Sequence, residues 1–101
     1  MVINIPSMYP DVAKISSNRL VPYYLMSSYL YYDCDKFVLE DTDYDLLCKR
    51  LLTEWDKITH MHKHLIDPES LKAGTGFGNQ YTNMVKMAAH TWYNEYEKET
   101  K

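Results

Sequence analysis

Apolar and aromatic residues recur at spacings of three and four in three parts of the chain, the period of a helix that buries one face. The first part predicts a helix over about 19–33. Pro22 falls in its first turn, where amides have no partner inside the helix and a proline is tolerated. The spaced positions of this helix are Val21, Leu25, Ser28, Tyr29 and Tyr32.

The second part predicts the longest helix, over about 42–65. Asp41 precedes it as an N-cap, whose carboxylate can accept from the amides of the first turn. Asp43 and Asp45 fall in that turn, where acidic groups suit the helix dipole. The helix is expected to end before the Asp67-Pro68 pair, since a proline disfavours helix at the residue before it. The spaced positions are Tyr44, Leu47, Leu51, Trp55, Ile58, His62 and Leu65.

The remaining segments complete an all-α prediction. A third helix is expected over about 79–98, and the preceding segment PESLKAGTGFGN holds all three glycines and predicts a loop. This loop lacks both the GxGxxG spacing and the lysine-serine pair of a phosphate-binding loop. Residues 1–17 have no helical period and predict an irregular N-terminal arm with one short turn. We therefore expect a small three-helix bundle, with this arm ahead of a single helical domain over 18–101.

The composition of the chain disfavours several classes of function. The chain has 101 residues and a net charge of −3, which suits one small domain and does not favour binding to nucleic acid. Two cysteines make neither a disulfide framework nor a zinc quartet. No long apolar run appears, so a cytoplasmic protein without a membrane segment is expected. The unusual feature is ten tyrosines against two phenylalanines, because a tyrosine brings an apolar ring with a polar tip.

Tyrosines and acidic residues meet in the segment YLYYDCDKFVLEDTDYDLL, residues 29–47. Asp41, Tyr44 and Asp45 share one face of the second helix because they are three and four residues apart. A short connector can bring Tyr31 and Tyr32, near the end of the first helix, alongside them. We expect a pocket with aromatic walls and carboxylate tips, which suits a flat cationic ring and sugar hydroxyls. A nicotinamide riboside unit has both features.

The run Y-x-Y-Y-x-x-D-x-x-x-x-x-D-x-x-Y-D, from Tyr29 to Asp45, resembles the N-terminal helical subdomain Ia of bacterial-type NAD-dependent DNA ligases. The resemblance covers about 19–66, which would form the family's helical hairpin. In that family the subdomain closes over the nicotinamide mononucleotide half of NAD when the ligase lysine is adenylated. The resemblance implies that Tyr31 and Tyr32 contact the nucleotide and that Asp41 meets the ribose or the ring amide. It also implies that Tyr44 stacks on the nicotinamide and that Asp45 binds a hydroxyl or orients the ring.

The chain also departs from that family. Phe37 stands where a proline is usual, and the chain contains no lysine followed by x-Asp-Gly and no four-cysteine zinc site. The resemblance therefore implies a module that binds NAD or nicotinamide mononucleotide without being an enzyme itself. A catalytic partner, such as a ligase adenylation domain on another chain, could use its pocket in DNA replication or repair. A module this small would suit a phage or other small genome, acting in the host cytoplasm.

Plainer interpretations remain open for each residue. Tyr44 also fits the buried face of the second helix, and Asp41 can be a simple N-cap. Asp45 can be a solvated carboxylate of the first turn, and Tyr31 and Tyr32 can be ordinary helix-packing residues.

His60 and His64, with Asp56 one turn earlier, would share a helix face and are weak candidates for zinc or nickel ligands. Solvated histidines at a helix end explain them better.

The alternative function is a helical interaction protein that keeps the ligase-like scaffold but has lost its ligand. The observation behind it is an aromatic cluster on the third helix, which we expect to form an exposed patch of the kind that marks partner surfaces. The cluster consists of Trp92, Tyr93 and Tyr96.

Overall fold

The computed structural model describes residues 10–36, 38–74, 79 and 81–100. The predicted all-α class is confirmed, since the described residues form helices and turns and no strand. The three main helices are α1 (Leu20–Cys34), α2 (Asp41–Thr53) and α4 (Asn83–Thr100), and a short helix α3 (Pro68–Ala73) precedes α4. None of these helices is long and apolar enough to cross a membrane.

Helix α1 is the centre of the molecule. It packs against both α2 and α4, so it buries residues on more than one side, among them Leu20, Tyr24 and Leu30. Its bounds agree with the predicted 19–33 to within about one residue, the usual uncertainty of a helix end. It ends at Asp35, which adopts the left-handed conformation (φ 56°), while the next amide, of Lys36, donates to the Leu30 carbonyl at 2.8 Å. This turn redirects the chain toward α2.

The prediction of one helix over 42–65 is wrong beyond Thr53. The chain continues through two 3-10 turns, Trp55–Lys57 and Lys63–Leu65, with extended backbone at Ile58 between them. The Lys63 ammonium donates to the carbonyls of Trp55 (2.7 Å) and Ile58 (3.2 Å), so a side chain satisfies groups that a continued helix would have bonded internally. Ile58 and Leu65 are still buried, which explains why the apolar pattern continued past the true helix end.

Helix α3 lies where a loop was predicted. The Asp67 carboxylate caps it by accepting from the Glu69 amide at 3.1 Å, and Pro68 occupies the first helical position. Gly74 ends it in the left-handed conformation (φ 72°), which a glycine adopts at no steric cost. The Asp-Pro pair that we interpreted as the end of one helix is therefore the start of another.

Helix α4 begins later than predicted, at Asn83 rather than about 79. The Thr82 hydroxyl accepts from the Val85 amide at 3.3 Å, as an N-cap does. The described part of the N-terminal arm forms the expected turn, in which the Asp11 carbonyl accepts from the amides of Lys14 and Ile15. The arm packs on the domain, since Val12 is only 2% exposed.

Candidate functional site

A cavity of about 210 Å³ opens where the end of α1 meets the start of α2. All five residues singled out from the sequence lie around it, although the chain reverses direction between them. The described residues that line it are Ser27, Tyr31, Tyr32, Val38, Leu39, Asp41, Tyr44, Asp45 and Gly74. The tail of one helix and the head of the next thus bring phenol rings and carboxylates together around an open space.

The connector between α1 and α2 determines where the cavity lies. Its left-handed turn at Asp35 lets the chain fold back, and Val38 and Leu39 are then buried in the core. Their burial anchors the connector, so that α2 starts beside the last turns of α1. Phe37, the departure from the ligase pattern, lies outside the described residues.

Tyr31 and Tyr32 form the open wall of the cavity. Their rings meet edge to face with centroids 4.8 Å apart, a favourable geometry for an aromatic pair. Tyr31 is 53% exposed and Tyr32 37%, so neither is buried in helix packing. Both side chains are thus partly exposed where they line the cavity.

Tyr44 is both a core residue and a wall of the cavity. Its ring stacks on Tyr24 with centroids 5.8 Å apart, and its hydroxyl shares a 2.7 Å hydrogen bond with the Ser28 hydroxyl. Burial raises the pKa of the Tyr44 hydroxyl well above its ordinary value. Tyr44 therefore packs in the core, as one interpretation of the sequence predicted, and also lines the cavity.

The two carboxylates sit on the first turns of α2. The prediction of Asp41 as N-cap is wrong, because Glu40 is the capping residue and Asp41 is the first residue of the helix. Asp41 is exposed and lines the cavity. The Asp45 carboxylate pairs with the Lys49 ammonium at 2.8 Å, with both side chains largely in solvent. Because such surface pairs are weak, a ligand could displace Lys49 from Asp45.

Four lining residues were not singled out from the sequence: Ser27, Val38, Leu39 and Gly74. Three of them are explained by helix packing and the connector, and no periodicity marks them as site residues. Gly74 carried a signal, because a glycine after a short Asp-Pro helix is a common C-cap. That signal indicated the turn but not its place beside the cavity.

The geometry required for the metal hypothesis is absent. Because α2 ends at Thr53, His60 and His64 do not share a helix face. The His60 Nδ1 accepts from the His62 amide at 3.0 Å, and the His64 Nδ1 lies 3.0 Å from the Met61 carbonyl oxygen. Partial burial lowers the pKa of His60. Within the described ranges, no three side chains of metal-binding type come together.

The prediction of an exposed aromatic patch on α4 is also wrong. Trp92 is only 8% exposed and meets Tyr23 edge to face at 5.3 Å, and Tyr93 and Tyr96 pack against the core. A shallow, more open groove lies along the boundary of α1 and α4, with Met26 and Ala88 among the residues that line it.

No protein-family model, no curated protein and no solved structure matches this chain.

Proposed function

We propose that this protein binds the nicotinamide riboside end of NAD or of nicotinamide mononucleotide in the cavity between α1 and α2. The observation that carries the proposal is the convergence of Tyr31, Tyr32, Asp41, Tyr44 and Asp45 on that one cavity. These are the residues that the resemblance to ligase subdomain Ia assigns to the nucleotide.

The chemistry of the lining supports this ligand class. The partly exposed aromatic pair of Tyr31 and Tyr32 can attract a cationic pyridinium ring, an interaction worth about 0.5–2 kcal/mol. The carboxylates of Asp41 and Asp45 can accept hydrogen bonds from ribose hydroxyls or from the ring amide. Tyr44, fixed by its bond to Ser28, supplies a rigid wall between them.

The size of the cavity restricts how much of the ligand it can hold. Its volume of about 210 Å³ is below the range of about 300–1,000 Å³ typical of pockets that enclose a drug-sized molecule. It suits the nicotinamide ring and part of its ribose, with the rest of the nucleotide outside. A ligand so placed is presented to a second protein rather than enclosed.

In this proposal the chain acts without chemistry of its own. The adenylation lysine motif is absent from these 101 residues, so a ligase-type reaction needs an adenylation domain outside them. The proposed role is to hold the nicotinamide end of NAD for such a partner.

Titration with nicotinamide mononucleotide, followed by tyrosine resonances and by calorimetry, tests the proposal. We expect saturable binding that Tyr31→Ala and Asp41→Asn each weaken. Both side chains are exposed, so neither change should unfold the protein. Asp56→Asn is the matched control, since Asp56 is exposed and lies outside the lining. The absence of any heat or shift change at millimolar ligand would refute the proposal.

A second candidate is a helical interaction protein that has lost the ligand. The favouring observation is that α4 exposes two methionines, Met84 (62%) and Met87 (71%), on a helix whose other side is packed. Flexible methionines are frequent on protein-binding surfaces. Sedimentation across a range of concentrations tests self-association. A concentration-independent monomer that captures no partner would oppose this candidate.

A further inference from the structure

The groove along the boundary of α1 and α4 has a volume of about 530 Å³. The described side chains of its α1 wall include Arg19, Tyr23 and Met26, and those of its α4 wall include Ala88, Trp92 and Glu95. The edge-to-face contact of Tyr23 with Trp92 joins the two walls. None of the described residues that line the groove also lines the cavity between α1 and α2, so the two sites are separate.

Apolar surface continues from the groove along α4. Met84 precedes Ala88 by four residues, so helical geometry places both on one face of the helix. Met84 is 62% exposed and Met87 is 71% exposed. Methionines adapt their shape to a partner, and a groove that continues into two of them is typical of a surface that another protein covers.

The groove also carries one charge of each sign, on opposite walls. The Arg19 guanidinium donates to the Tyr23 hydroxyl at 3.3 Å, and within the described part of the chain no carboxylate forms an ion pair with it. Glu95 contacts Lys98 on its own helix at 3.8 Å, and both side chains are at least half exposed. Because such an exposed pair is weak, Glu95 is available to a cation from another molecule.

A second copy of this chain has the surface that matches these features. In a two-fold dimer the same surface of each copy meets its equivalent. When the two-fold axis runs along the groove, the α1 wall of each copy faces the α4 wall of the other. Arg19 of each copy then faces the wall that carries Glu95 of the other, so the charges are complementary. A strongly charged partner would find no such match, because the two charges of the groove are of opposite sign.

We propose that this groove is the interface of a symmetric homodimer. The apolar groove and the exposed methionines of α4 supply its contact area, and two Arg19–Glu95 ion pairs between the copies set its register. This proposal goes beyond nucleotide binding and does not depend on it, because the cavity lies elsewhere.

Sedimentation equilibrium over roughly 1–500 µM protein tests the dimer. We expect a monomer–dimer equilibrium with a dissociation constant of about 10–100 µM, as suits a small interface. Met84→Glu should weaken the dimer about tenfold or more, because it places a charge in the apolar part of the interface. Met61→Glu is the matched control, since Met61 is 72% exposed and does not line the groove.

Charge variants test the register of the dimer. Arg19→Glu and Glu95→Arg each set like charges against one another, so each should weaken self-association about tenfold or more. Both positions are exposed, so each variant should fold, as circular dichroism verifies. An equimolar mixture of the two variants should recover the dimer, because both pairs of a mixed dimer again join opposite charges.

Three results would overturn the proposal. A monomer at every concentration would leave the groove to a different protein. Equal weakening by Met84→Glu and Met61→Glu would place the interface elsewhere, and a mixture no more dimeric than its two components would exclude the Arg19–Glu95 pairs. None of these measurements contains nucleotide, so their failure leaves the proposed function standing, and a failure of nucleotide binding leaves the dimer standing.

Discussion

The Tyr44 hydroxyl lies 2.7 Å from the Ser28 hydroxyl, so one hydrogen bond joins the first turns of α2 to the middle of α1. The Ser28 side chain is fully buried, and the Tyr44 ring stacks on Tyr24. The same tyrosine lines the cavity. Its hydroxyl therefore joins two helices, while its ring also lines the cavity, and mutation can separate the two contributions.

Tyr44→Phe should lower the free energy of unfolding by about 1–3 kcal/mol, because it removes the hydrogen bond between the Tyr44 hydroxyl and the buried Ser28 hydroxyl. The ring is kept, so binding of nicotinamide mononucleotide should change little. Urea unfolding followed by tryptophan fluorescence measures the first effect, and calorimetry the second. Adding Ser28→Ala should recover part of the loss. Strictly additive effects of the two changes would show that the hydrogen bond does not couple the helices.

Arg50 should hold the N-terminal arm against α2. Its guanidinium donates to the carbonyls of Val12 (3.0 Å) and Ile15 (2.7 Å) and pairs with Glu54. We expect Arg50→Met to loosen the arm, since two backbone carbonyls lose their donor. Trypsin should then cleave faster after the exposed Lys14, as measured by mass spectrometry of the released fragment.

Lys49→Met is the matched control for this experiment. Lys49 is also a cation on α2, but its side chain is exposed and makes its ion pair away from the arm. Equal cleavage rates after Lys14 in the Arg50 variant, the control and the natural protein would contradict the proposed role of Arg50.

Stability should fall on acidification because of Glu54. The Arg50 guanidinium, with a further hydrogen bond from the Ser17 hydroxyl, lowers the pKa of the Glu54 carboxyl below its ordinary value. The folded state therefore binds fewer protons than the unfolded state, and the stabilisation present at neutral pH is lost as the pH falls through the folded pKa. Urea midpoints measured from pH 7 to about 3.5 should decrease, and less steeply in Glu54→Gln. Identical slopes in the two proteins would exclude Glu54 as the cause.

The two cysteines should differ in reactivity. Cys48 is buried, and burial raises the pKa of its thiol to about 12, so the reactive thiolate is scarce near neutral pH. Cys34, at the end of α1, is partly exposed. A thiol reagent at pH 8 should modify Cys34 rapidly and Cys48 only on unfolding, as peptide mapping would show. Equal rates for the two thiols would contradict the buried position of Cys48.

The sequence determined the helical class and the approximate places of α1 and α4. Spacings of three and four residues report which positions are buried, and for α1 these positions follow one continuous helix. A local signal was enough for the start of α1, because Pro22 lies within its first turn. The grouping of Asp41, Tyr44 and Asp45 was equally predictable, because helical geometry alone places them on one face.

Only the tertiary structure decided where α2 ends and what surrounds the site. Ile58 and Leu65 are buried in the segment after Thr53 just as they would be in a continued helix, so periodicity could not distinguish the two cases. The Lys63 ammonium supplies side-chain hydrogen bonds to the carbonyls of Trp55 and Ile58 in that segment. The walls of the cavity are brought together by contacts between different helices, such as the hydrogen bond between Tyr44 and Ser28. The burial of Trp92 likewise depends on its packing against Tyr23. Such contacts have no local signature, because their free energy arises only when α1, α2 and α4 meet.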